Sequence, residues 1–389
     1  MSIQNIDKEY VANTYGRYPI TLTEGKGAVM YDETGKKYID LGSGIAVNTF
    51  GAADAEWLAA VTKQAGQLQH TSNYYYTEPC ALLAEQLCKR TGMKKVFFGN
   101  SGAEANECAI KTARRWAYLK YGDESHATII TLKNSFHGRT ITTLSATGQD
   151  VFHEEFGPFT PGFVYAAADD PEEVRQYAAQ GNCCAVMMET IQGEGGVLPL
   201  SEEYVAAVCE IAKEYDLLVI VDEVQTGNGR TGDLYAFMHY EGFMPDIATT
   251  AKGLAGGLPL GACMLGEKVK DVLGPGKHGS TFGGNPVACA GALSIVNRLT
   301  DELLAEVRAK GEYIRNTLEG AKNVQGMTGR GLMVGIAVDK DAHAVAEECL
   351  ARGVLVLTAK DKVRLLPPLN IGMDELREAV AVLKEVIEA

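Results

Sequence analysis

The sequence lacks any long hydrophobic run: its apolar stretches have the length of strands, whereas a membrane-spanning helix needs about 20 apolar residues. It also lacks an excess of positive charge, because 36 Lys and Arg stand against 50 Asp and Glu, for a formal net charge of -14. We therefore expect neither a membrane nor a nucleic acid as a partner. Residues 1–15 are polar and mixed in charge, without the apolar core of a targeting peptide, so we expect a cytoplasmic protein.

The nine cysteines show no CxxC spacing and lie in segments typical of small buried residues. We therefore expect no disulfide framework and no metal site. The chain also lacks a P-loop and the dinucleotide fingerprint G-x-G-x-x-G, which makes a nicotinamide-dependent oxidoreductase a remote alternative. In so acidic a chain, an anionic substrate has to be bound by individual arginines. Arg364, which lies in an apolar run between Val and Leu, is one that needs an anionic partner.

What the chain does contain is a regular alternation of strand and helix patterns from about residue 70 to about residue 270. This alternation predicts an α/β fold with a mostly parallel sheet flanked by helices. The C-terminal part mixes helices and strands and predicts a smaller α+β domain. We therefore predict an N-terminal segment (1–50) that packs with the small domain, a large α/β domain (51–284) and a small C-terminal domain (285–389).

One stretch predicts a catalytic pair. Residues 217–221 (LLVIV) have the pattern of a strand buried on both faces of a parallel sheet, and Asp222 follows at its carboxyl end, where open α/β sheets bind ligands. Lys252 lies among small residues; desolvation lowers the basicity of a lysine, and the neutral amine can form a Schiff base with a carbonyl. Pyridoxal 5'-phosphate (PLP) requires such a lysine and an acidic residue. Taken alone, the pair is also compatible with a strand-end turn aspartate and a solvated lysine.

Three further segments carry groups suited to a cofactor or to an anionic substrate. A predicted strand runs through a turn of small residues into a long helix, a geometry that binds phosphate, although Ser101 can equally be a simple N-cap. Phe136 and His137 offer flat faces for stacking, and Arg139 offers a fork suited to a carboxylate. Glu194 lies between glycines in a loop and is free to change its partner.

Nine motifs occur in the order that is typical of one enzyme family. They are TYGRYP, GSGIAVN, FFGNSGAEANE, FHGRT followed by LSATGQ, IQGEGGV, VDEVQTGNGRTG, TTAKGLAGGLPLGA, HGSTFGGNP and VRLLPPLN. On these motifs the chain resembles the class III PLP-dependent aminotransferases of fold type I over nearly its whole length. The resemblance implies PLP as the cofactor, carried by the large domain, and a homodimer with a composite active site.

The resemblance also assigns cofactor contacts. Lys252 matches the lysine that forms the Schiff base with PLP and then moves a proton, and Asp222 matches the aspartate that keeps the pyridine nitrogen protonated. Gln225 matches the contact to the ring hydroxyl, and Phe136 matches the aromatic residue stacked on the ring. The residues implied around the phosphate are Ser101, Gly102 and Ala103, together with Thr281 from the neighbouring subunit.

The substrate contacts follow in the same way. Arg139 resembles the arginine that holds a substrate carboxylate, and Ser280 belongs to the loop donated by the neighbouring subunit. Glu194 resembles the residue that masks Arg364 while an ω-amine donor binds, and that moves aside when the α-carboxylate of glutamate or 2-oxoglutarate has to be held. Tyr15 falls at a position where a further carboxylate contact is expected.

The implied activity is transfer of the δ-amino group of N2-acetylornithine to 2-oxoglutarate, giving N-acetylglutamate 5-semialdehyde and glutamate, in arginine biosynthesis. Succinylornithine, free ornithine or an acylated diaminopimelate as donor, or a non-catalytic relative, are the alternatives. The chain departs from the family's pattern at Thr190, where a proline is usual, and at Asn228, where a hydrophobic residue is more usual. Residues 50–57 replace a Gly-His-Pro segment near the substrate entrance, which bears on the acyl group.

Overall fold

The computed structural model describes residues 2–389. Its helices are α1 (Ile3–Tyr10), α2 (Ser43–Ala46), α3 (Ala55–Ala65), α4 (Glu78–Thr91), α5 (Gly102–Tyr121), α6 (Ile141–Ala146), α7 (Pro171–Ala178), α8 (Glu202–Glu214), α9 (Pro286–Val296), α10 (Asp301–Leu318), α11 (Ala342–Ala351) and α12 (Met373–Glu388). Within residues 2–389, none of the helices combines the length and the apolarity that crossing a membrane requires.

The strands form one large sheet and three smaller ones. In chain order they are β1 (Leu22–Lys26), β2 (Val29–Asp32), β3 (Lys37–Asp40), β4 (Lys95–Gly99), β5 (Thr128–Leu132), β6 (Phe163–Ala166), β7 (Cys183–Met188), β8 (Ile191–Gln192), β9 (Leu198–Pro199), β10 (Leu218–Asp222), β11 (Ile247–Thr250), β12 (Gly261–Leu265), β13 (Val324–Arg330), β14 (Met333–Val338), β15 (Val354–Leu355), β16 (Leu357–Ala359) and β17 (Lys362–Leu365).

The large sheet has seven strands in the order β4-β12-β11-β10-β7-β5-β6. The five strands from β11 to β6 run parallel, whereas β12 is antiparallel to both of its neighbours. Every residue of β7 and β10 is buried: α5 and α8 contact both strands, and α7 also contacts β7. Each fully buried Val, Leu or Ile contributes on the order of 1.5–3 kcal/mol. The predicted α/β fold with a mostly parallel sheet is confirmed.

The N-terminal strands are joined to the C-terminal part of the chain. Two alternating runs around the turn Asp32–Gly35 predict a hairpin, and β2 and β3 form it, with Met30 opposite Tyr38. β15 extends this sheet and runs parallel to β3, with Val354 opposite Ile39. The C-terminal strands form a separate antiparallel sheet in the order β13-β14-β17-β16. The pairing of β15 with β3 supports our proposal that residues 1–50 pack with the small domain.

Local capping explains where α3 differs from its prediction. The sequence predicts a helix over about residues 54–69, and the structure has Ala55–Ala65. The carboxylate of Asp54 accepts a hydrogen bond from the backbone N–H of Trp57 at 2.9 Å, which fixes the start of the helix. Gly66 is the C-cap residue, so the helix ends one turn earlier than predicted.

Candidate active site

Asp222 and Lys252 lie at the carboxyl ends of two adjacent parallel strands. Asp222 is the last residue of β10 and is in register with Thr249 of β11. Lys252 follows β11 in a short 3-10 turn, Lys252–Leu254. Ligands bind at this edge of an open α/β sheet. The structure therefore brings the two residues to one site, as the sequence predicts, while their chemical roles stay predictions.

A cavity of about 420 Å³ opens at this edge, a volume within the range of about 300–1,000 Å³ that small-molecule sites have. The predicted site residues that line it are Ser101, Gly102, Ala103, Phe136, Arg139, Glu194, Asp222, Gln225 and Lys252. A larger cleft of about 710 Å³ lies beside α8 and contains none of them. The chemistry is therefore concentrated in the smaller cavity.

Three hydrogen-bond donors converge on the buried carboxylate of Asp222. Its Oδ2 accepts from Asn106 Nδ2 at 2.7 Å and lies 2.9 Å from His137 Nδ1, which donates because a carboxylate only accepts. Its Oδ1 accepts from the backbone N–H of Val224 at 3.0 Å. Thr249 Oγ1 in turn donates to Asn106 Oδ1 at 2.6 Å, which orients the amide. The arrangement stabilises a negative charge at the cavity wall.

Lys252 has the environment of a reactive amine. Burial lowers the pKa of Lys252 below its ordinary value, although the negative charges of Glu194 and Asp222 act in the opposite direction. A lowered pKa increases the fraction of free amine, which is the form that attacks a carbonyl. The backbone of Lys252 has φ +44°, a left-handed conformation that is uncommon for a lysine.

The first turn of α5 forms one wall of the cavity. Ser101 is its N-cap, and its Oγ accepts from the backbone N–H of Glu104 at 3.2 Å. The carboxylate of Glu104 reaches back to the Asn100 side chain at 2.8 Å and to the backbone N–H of Asn100. A Cβ on Gly102 would lie 2.8 Å from Val224 Cγ1, so this approach requires glycine. The positive end of the helix dipole therefore borders the cavity.

Glu189 fastens two further walls. Its Oε1 accepts from the backbone N–H of Phe136 at 2.9 Å, and its Oε2 accepts from the backbone N–H of Gly193 at 3.1 Å. Burial raises the pKa of Glu189 to about 7. One carboxyl group thus holds both the aromatic residue that faces the cavity and the loop that carries Glu194.

Glu194, Gln225 and Arg364 form a buried polar network. Arg364 Nη1 donates to Glu194 Oε1 at 2.8 Å and to Gln225 Oε1 at 3.0 Å, and Gln225 Nε2 donates to Glu194 Oε1 at 3.0 Å. Burial alone would raise the pKa of Glu194, but the charge and hydrogen bond of Arg364 outweigh it and hold that pKa below its usual value. Arg364 does have the anionic partner that its apolar neighbours in sequence predict.

Arg139 lines the cavity without an ionic partner. Its guanidinium lies 4.3 Å from the ring centroid of Phe152 and 5.5 Å from that of Phe136. Among the residues that the structure describes, no carboxylate forms an ion pair with it. The side chain is exposed and stacked on aromatic rings, so it is available for a substrate carboxylate.

Three predicted residues lie outside the cavity of their own chain. Ser280 Oγ accepts from Asn100 Nδ2 at 3.1 Å, which places it behind the cavity wall. Thr281 borders clefts on the outer side of this loop. Tyr15 is 69% exposed, with the guanidinium of Arg17 5.3 Å from its ring centroid. The contacts expected of Ser280, Thr281 and Tyr15 therefore stay predictions.

Sequence reasoning misses two residues of the site and misreads a third. Asn106 lies within the motif FFGNSGAEANE and Glu189 lies just before IQGEGGV, but the sequence predicts no role for either, and the buried imidazole of His137 donates to Asp222 rather than offering a stacking face. A signal for Asn106 was present, because it interrupts an otherwise apolar helix face next to Ala105 and Cys108. A buried polar residue of that kind needs a polar partner.

The chain matches known proteins over nearly its whole length. The family model "Aminotransferase class-III" matches residues 10–387. Acetylornithine aminotransferase of Haemophilus ducreyi is 49% identical over 387 residues, which cover 99% of this chain and 98% of that protein. Among solved structures, N-acetylornithine aminotransferase from Stenotrophomonas maltophilia K279a has a TM-score of 0.85 and 35% identity, with 98% of each chain covered.

A second solved structure is the ornithine aminotransferase from Toxoplasma gondii, with partial occupancy of PLP at its active site. Its TM-score is 0.93 and its identity is 34%, and the match covers 99% of this chain and 93% of that chain. The family match, the full-length relatives and the site geometry agree. This chain belongs to the class-III aminotransferase family.

Proposed function

We propose that this chain transfers the δ-amino group of N2-acetylornithine to 2-oxoglutarate, with PLP as cofactor, as a step of arginine biosynthesis. The full-length similarity to acetylornithine aminotransferases supports this donor. The observation that carries the proposal is the pairing of Arg364 with Glu194 beside an unpaired Arg139. One arginine is open to a carboxylate, and the other is masked until its partner moves.

The residues of the cavity fit PLP. They combine a helix start suited to phosphate, a stabilised carboxylate, an aromatic face and a lysine of lowered pKa. The contacts that we assign are the phosphate to Ser101, Gly102 and Ala103, the ring nitrogen to Asp222, the ring hydroxyl to Gln225, the ring face to Phe136 and the carbonyl to Lys252. When bound, PLP supplies a carbonyl group and an electron-withdrawing ring.

The chain's own residues then move and hold protons. Lys252 Nζ, freed by its lowered pKa, accepts the proton from the substrate carbon and returns it one position away. Asp222 holds a proton on the ring nitrogen, because its three donors keep its own charge in place. Burial of the site excludes water from these steps and strengthens both interactions.

Glu194 and Arg364 allow one cavity to accept two different substrates. N2-acetylornithine reacts at its δ-amine, so its carboxylate lies far from Lys252 and within reach of Arg139. In that complex the pair stays closed, and Glu194 neutralises the charge of Arg364. Glutamate and 2-oxoglutarate react at the α-carbon, so Arg364 has to bind their α-carboxylate and Glu194 has to move.

We further propose a homodimer in the cytoplasm, with Ser280 and Thr281 completing the site of the partner subunit. Support comes from the position of Thr281, which borders clefts outside its own chain's cavity. The acidic composition and the free cysteines agree with a reducing compartment. We retain the three-part division at residues 50 and 284 as a proposal.

The visible absorbance of the purified protein with PLP tests the proposal directly. Titration with N2-acetylornithine should bleach the band at a much lower concentration than free ornithine does, and 2-oxoglutarate should restore it. Succinylornithine and an acylated diaminopimelate are titrated alongside as alternative donors. Preferential bleaching by ornithine would instead favour an ornithine δ-transaminase, in line with the similarity to the Toxoplasma gondii structure. Absence of any band with added PLP would refute the enzyme assignment.

A further inference from the structure

The turn that carries Lys252 is held through three of its carbonyl groups. Residues 251, 253 and 255 each have a backbone carbonyl that accepts a hydrogen bond from a side chain of a different part of the fold. The donors are Asn228 Nδ2 to Ala251 O at 3.2 Å, Thr49 Oγ1 to Gly253 O at 2.7 Å and Trp57 Nε1 to Ala255 O at 2.8 Å. Every second carbonyl around the lysine thus accepts a hydrogen bond from a side chain that lies outside the turn.

The turn needs this support because its backbone is unfavourable. Lys252 has φ +44°, and a non-glycine residue in the left-handed region costs on the order of 1–3 kcal/mol unless its surroundings enforce it. A turn of this kind persists only where the packing around it determines its conformation.

Trp57 is itself fixed on both sides. Asp54 accepts the backbone N–H of Trp57 and forms a paired contact with Arg298 at 2.7 and 3.0 Å. The guanidinium of Arg298 lies 4.0 Å from the ring centroid of the buried Phe50. A Cβ on Gly291 of α9 would lie 2.9 Å from Trp57 Nε1, so the indole is pressed against that helix.

Asn228 also suits its position for two reasons. Its backbone has φ +58°, a conformation that asparagine tolerates better than a hydrophobic residue does. Its amide donates to Thr250 Oγ1 at 3.0 Å as well as to the carbonyl of Ala251. Both residues belong to the segment that leads into Lys252.

We infer that Thr49, Trp57 and Asn228 form a carbonyl clamp that holds Lys252 in its reactive position. The inference rests on the proposed function, because it requires Lys252 to be the reacting amine. Asn228 and residues 50–57 are two of the places named above where the chain departs from the family's pattern. The clamp gives both of them the same role, which is to hold the turn of Lys252. None of residues 50–57 lines the cavity of its own chain, and Trp57 of this segment donates to the turn of Lys252. These are positioning residues that act through the backbone of the turn.

The test compares two variants that each remove one donor: Thr49→Val keeps the shape of the side chain, and Trp57→Phe keeps an aromatic ring. Thr49→Val and Trp57→Phe should both let the turn relax, so that Lys252 becomes better hydrated and less well aligned. Because misplacement of about 1 Å can cost about 100-fold in rate, we expect kcat to fall at least about tenfold, with KM changed less than about twofold. Since both act on one turn, the double variant should lose less than the product of the two effects.

The second readout needs no activity. In the apoprotein, acetic anhydride acetylates the free amine, and mass spectrometry of the peptide that contains Lys252 gives the labelling rate across a pH series. Burial lowers the pKa of Lys252, so loss of the clamp should move the midpoint of this labelling to higher pH. This shift is specific to the lysine and is not expected from a general loss of stability.

Two matched controls make the same substitutions, Trp to Phe and Thr to Val, at positions away from the turn of Lys252. Trp116→Phe changes the half-buried tryptophan of α5, and Thr112→Val removes a buried hydroxyl that donates to Cys108 O at 2.8 Å. Both should lower the thermal midpoint without moving the labelling midpoint of Lys252. The clamp is refuted if Thr49→Val and Trp57→Phe match these controls in kcat and in labelling. If the unaltered protein has no transaminase activity, the proposed function fails, and the labelling series still decides whether the clamp exists.

Discussion

Asp222 owes its environment to residues far from it in sequence. The imidazole of His137 has an exposed fraction of 0%, donates to Asp222 through Nδ1, and leaves Nε2 without a hydrogen-bond partner among residues 2–389. A hydrogen bond to a charged group contributes about 1.5–3 kcal/mol. We therefore predict that His137→Phe, which keeps an aromatic ring and removes the donor, lowers kcat/KM about 10- to 100-fold at neutral pH, measured by steady-state kinetics.

His153→Phe is the control for this substitution. His153 is a partly buried histidine that contacts the carbonyl of Leu144 at 2.8 Å and does not line the cavity. It should leave kcat/KM within about twofold, since surface-side contacts of this kind affect stability modestly. Equal losses in His137→Phe and His153→Phe would show that the fold, and not the support of Asp222, is responsible.

For single residues, the position in the sequence predicts a place in the site in some cases and not in others. Asp222 and Lys252 follow strands of a parallel sheet, and the carboxyl ends of adjacent strands meet by construction. Asn106 reaches Asp222 across 116 positions, and only the packing of α5 on the sheet brings them together. Tyr15 carries a family motif, yet its exposed position in one chain cannot be predicted from that motif.

Glu189 joins secondary-structure elements that are separate in the chain. It follows β7, holds the loop after β5 through Phe136, and holds the turn after β8 through Gly193. Because burial raises its pKa to about 7, the folded protein binds a proton there that the unfolded chain releases near pH 4.3. Stability from this group is therefore present at low pH and is lost as pH rises towards about 7.

We accordingly predict that Glu189→Gln, which cannot ionise, changes how thermal unfolding depends on pH. Between about pH 4.3 and the raised pKa of about 7, the unaltered protein should lose up to about 1.4 kcal/mol of stability per pH unit relative to the variant. The measurement is the thermal midpoint of the apoprotein across this range, compared with the exposed Glu124→Gln. A constant difference between Glu189→Gln and the unaltered protein at every pH would contradict the assignment.

Element boundaries show what local sequence can specify. α4 has the predicted bounds, Glu78–Thr91, because Pro79 at its start and Gly92 at its C-cap both signal the ends. β12 follows its predicted turn, yet its antiparallel direction depends on the pairing with β4 and β11, which no short pattern encodes. The direction and the partners of a strand depend on residues far apart in the sequence. Only the resemblance to the family therefore predicts that part of the fold.

One exposed surface of the single chain bears on whether a second copy of the chain completes the site. Tyr74 and Tyr76 are almost fully exposed, and Phe282 is 61% exposed. Asn73 Nδ2 donates to the carbonyls of Ser280 and Gly283, which ties the tyrosine loop to the loop of Thr281. Exposed aromatic residues on two connected loops are typical of an interface. A second copy of the chain on this surface is what the proposed composite site requires.

A composite site predicts complementation between two defective chains. Lys252→Ala removes the reacting amine, and Thr281→Asp places a negative charge where the partner's phosphate site is proposed, so each homodimer should be inactive or nearly so. In a mixed dimer, one site receives an intact Lys252 from one subunit and an intact Thr281 from the other. We predict that refolding the two chains together restores activity approaching a quarter of that of the unaltered protein, because half of the dimers are mixed and each has one good site.

The matched control is the double variant Lys252→Ala/Thr281→Asp mixed with Lys252→Ala, where no pairing yields an intact Lys252, so activity should stay absent. Activity in the first mixture that does not exceed the sum of the separate chains would mean that Thr281 acts within its own subunit or not at all. The cavity of one chain is bordered by Asn100 and Ser101 but not by Thr281, which is why we expect complementation. Hydrogen bonds from Asn73 and Asn100 hold the loop of Ser280 in its own chain outside the cavity, so we expect the threonine hydroxyl that completes the site to come from the partner subunit.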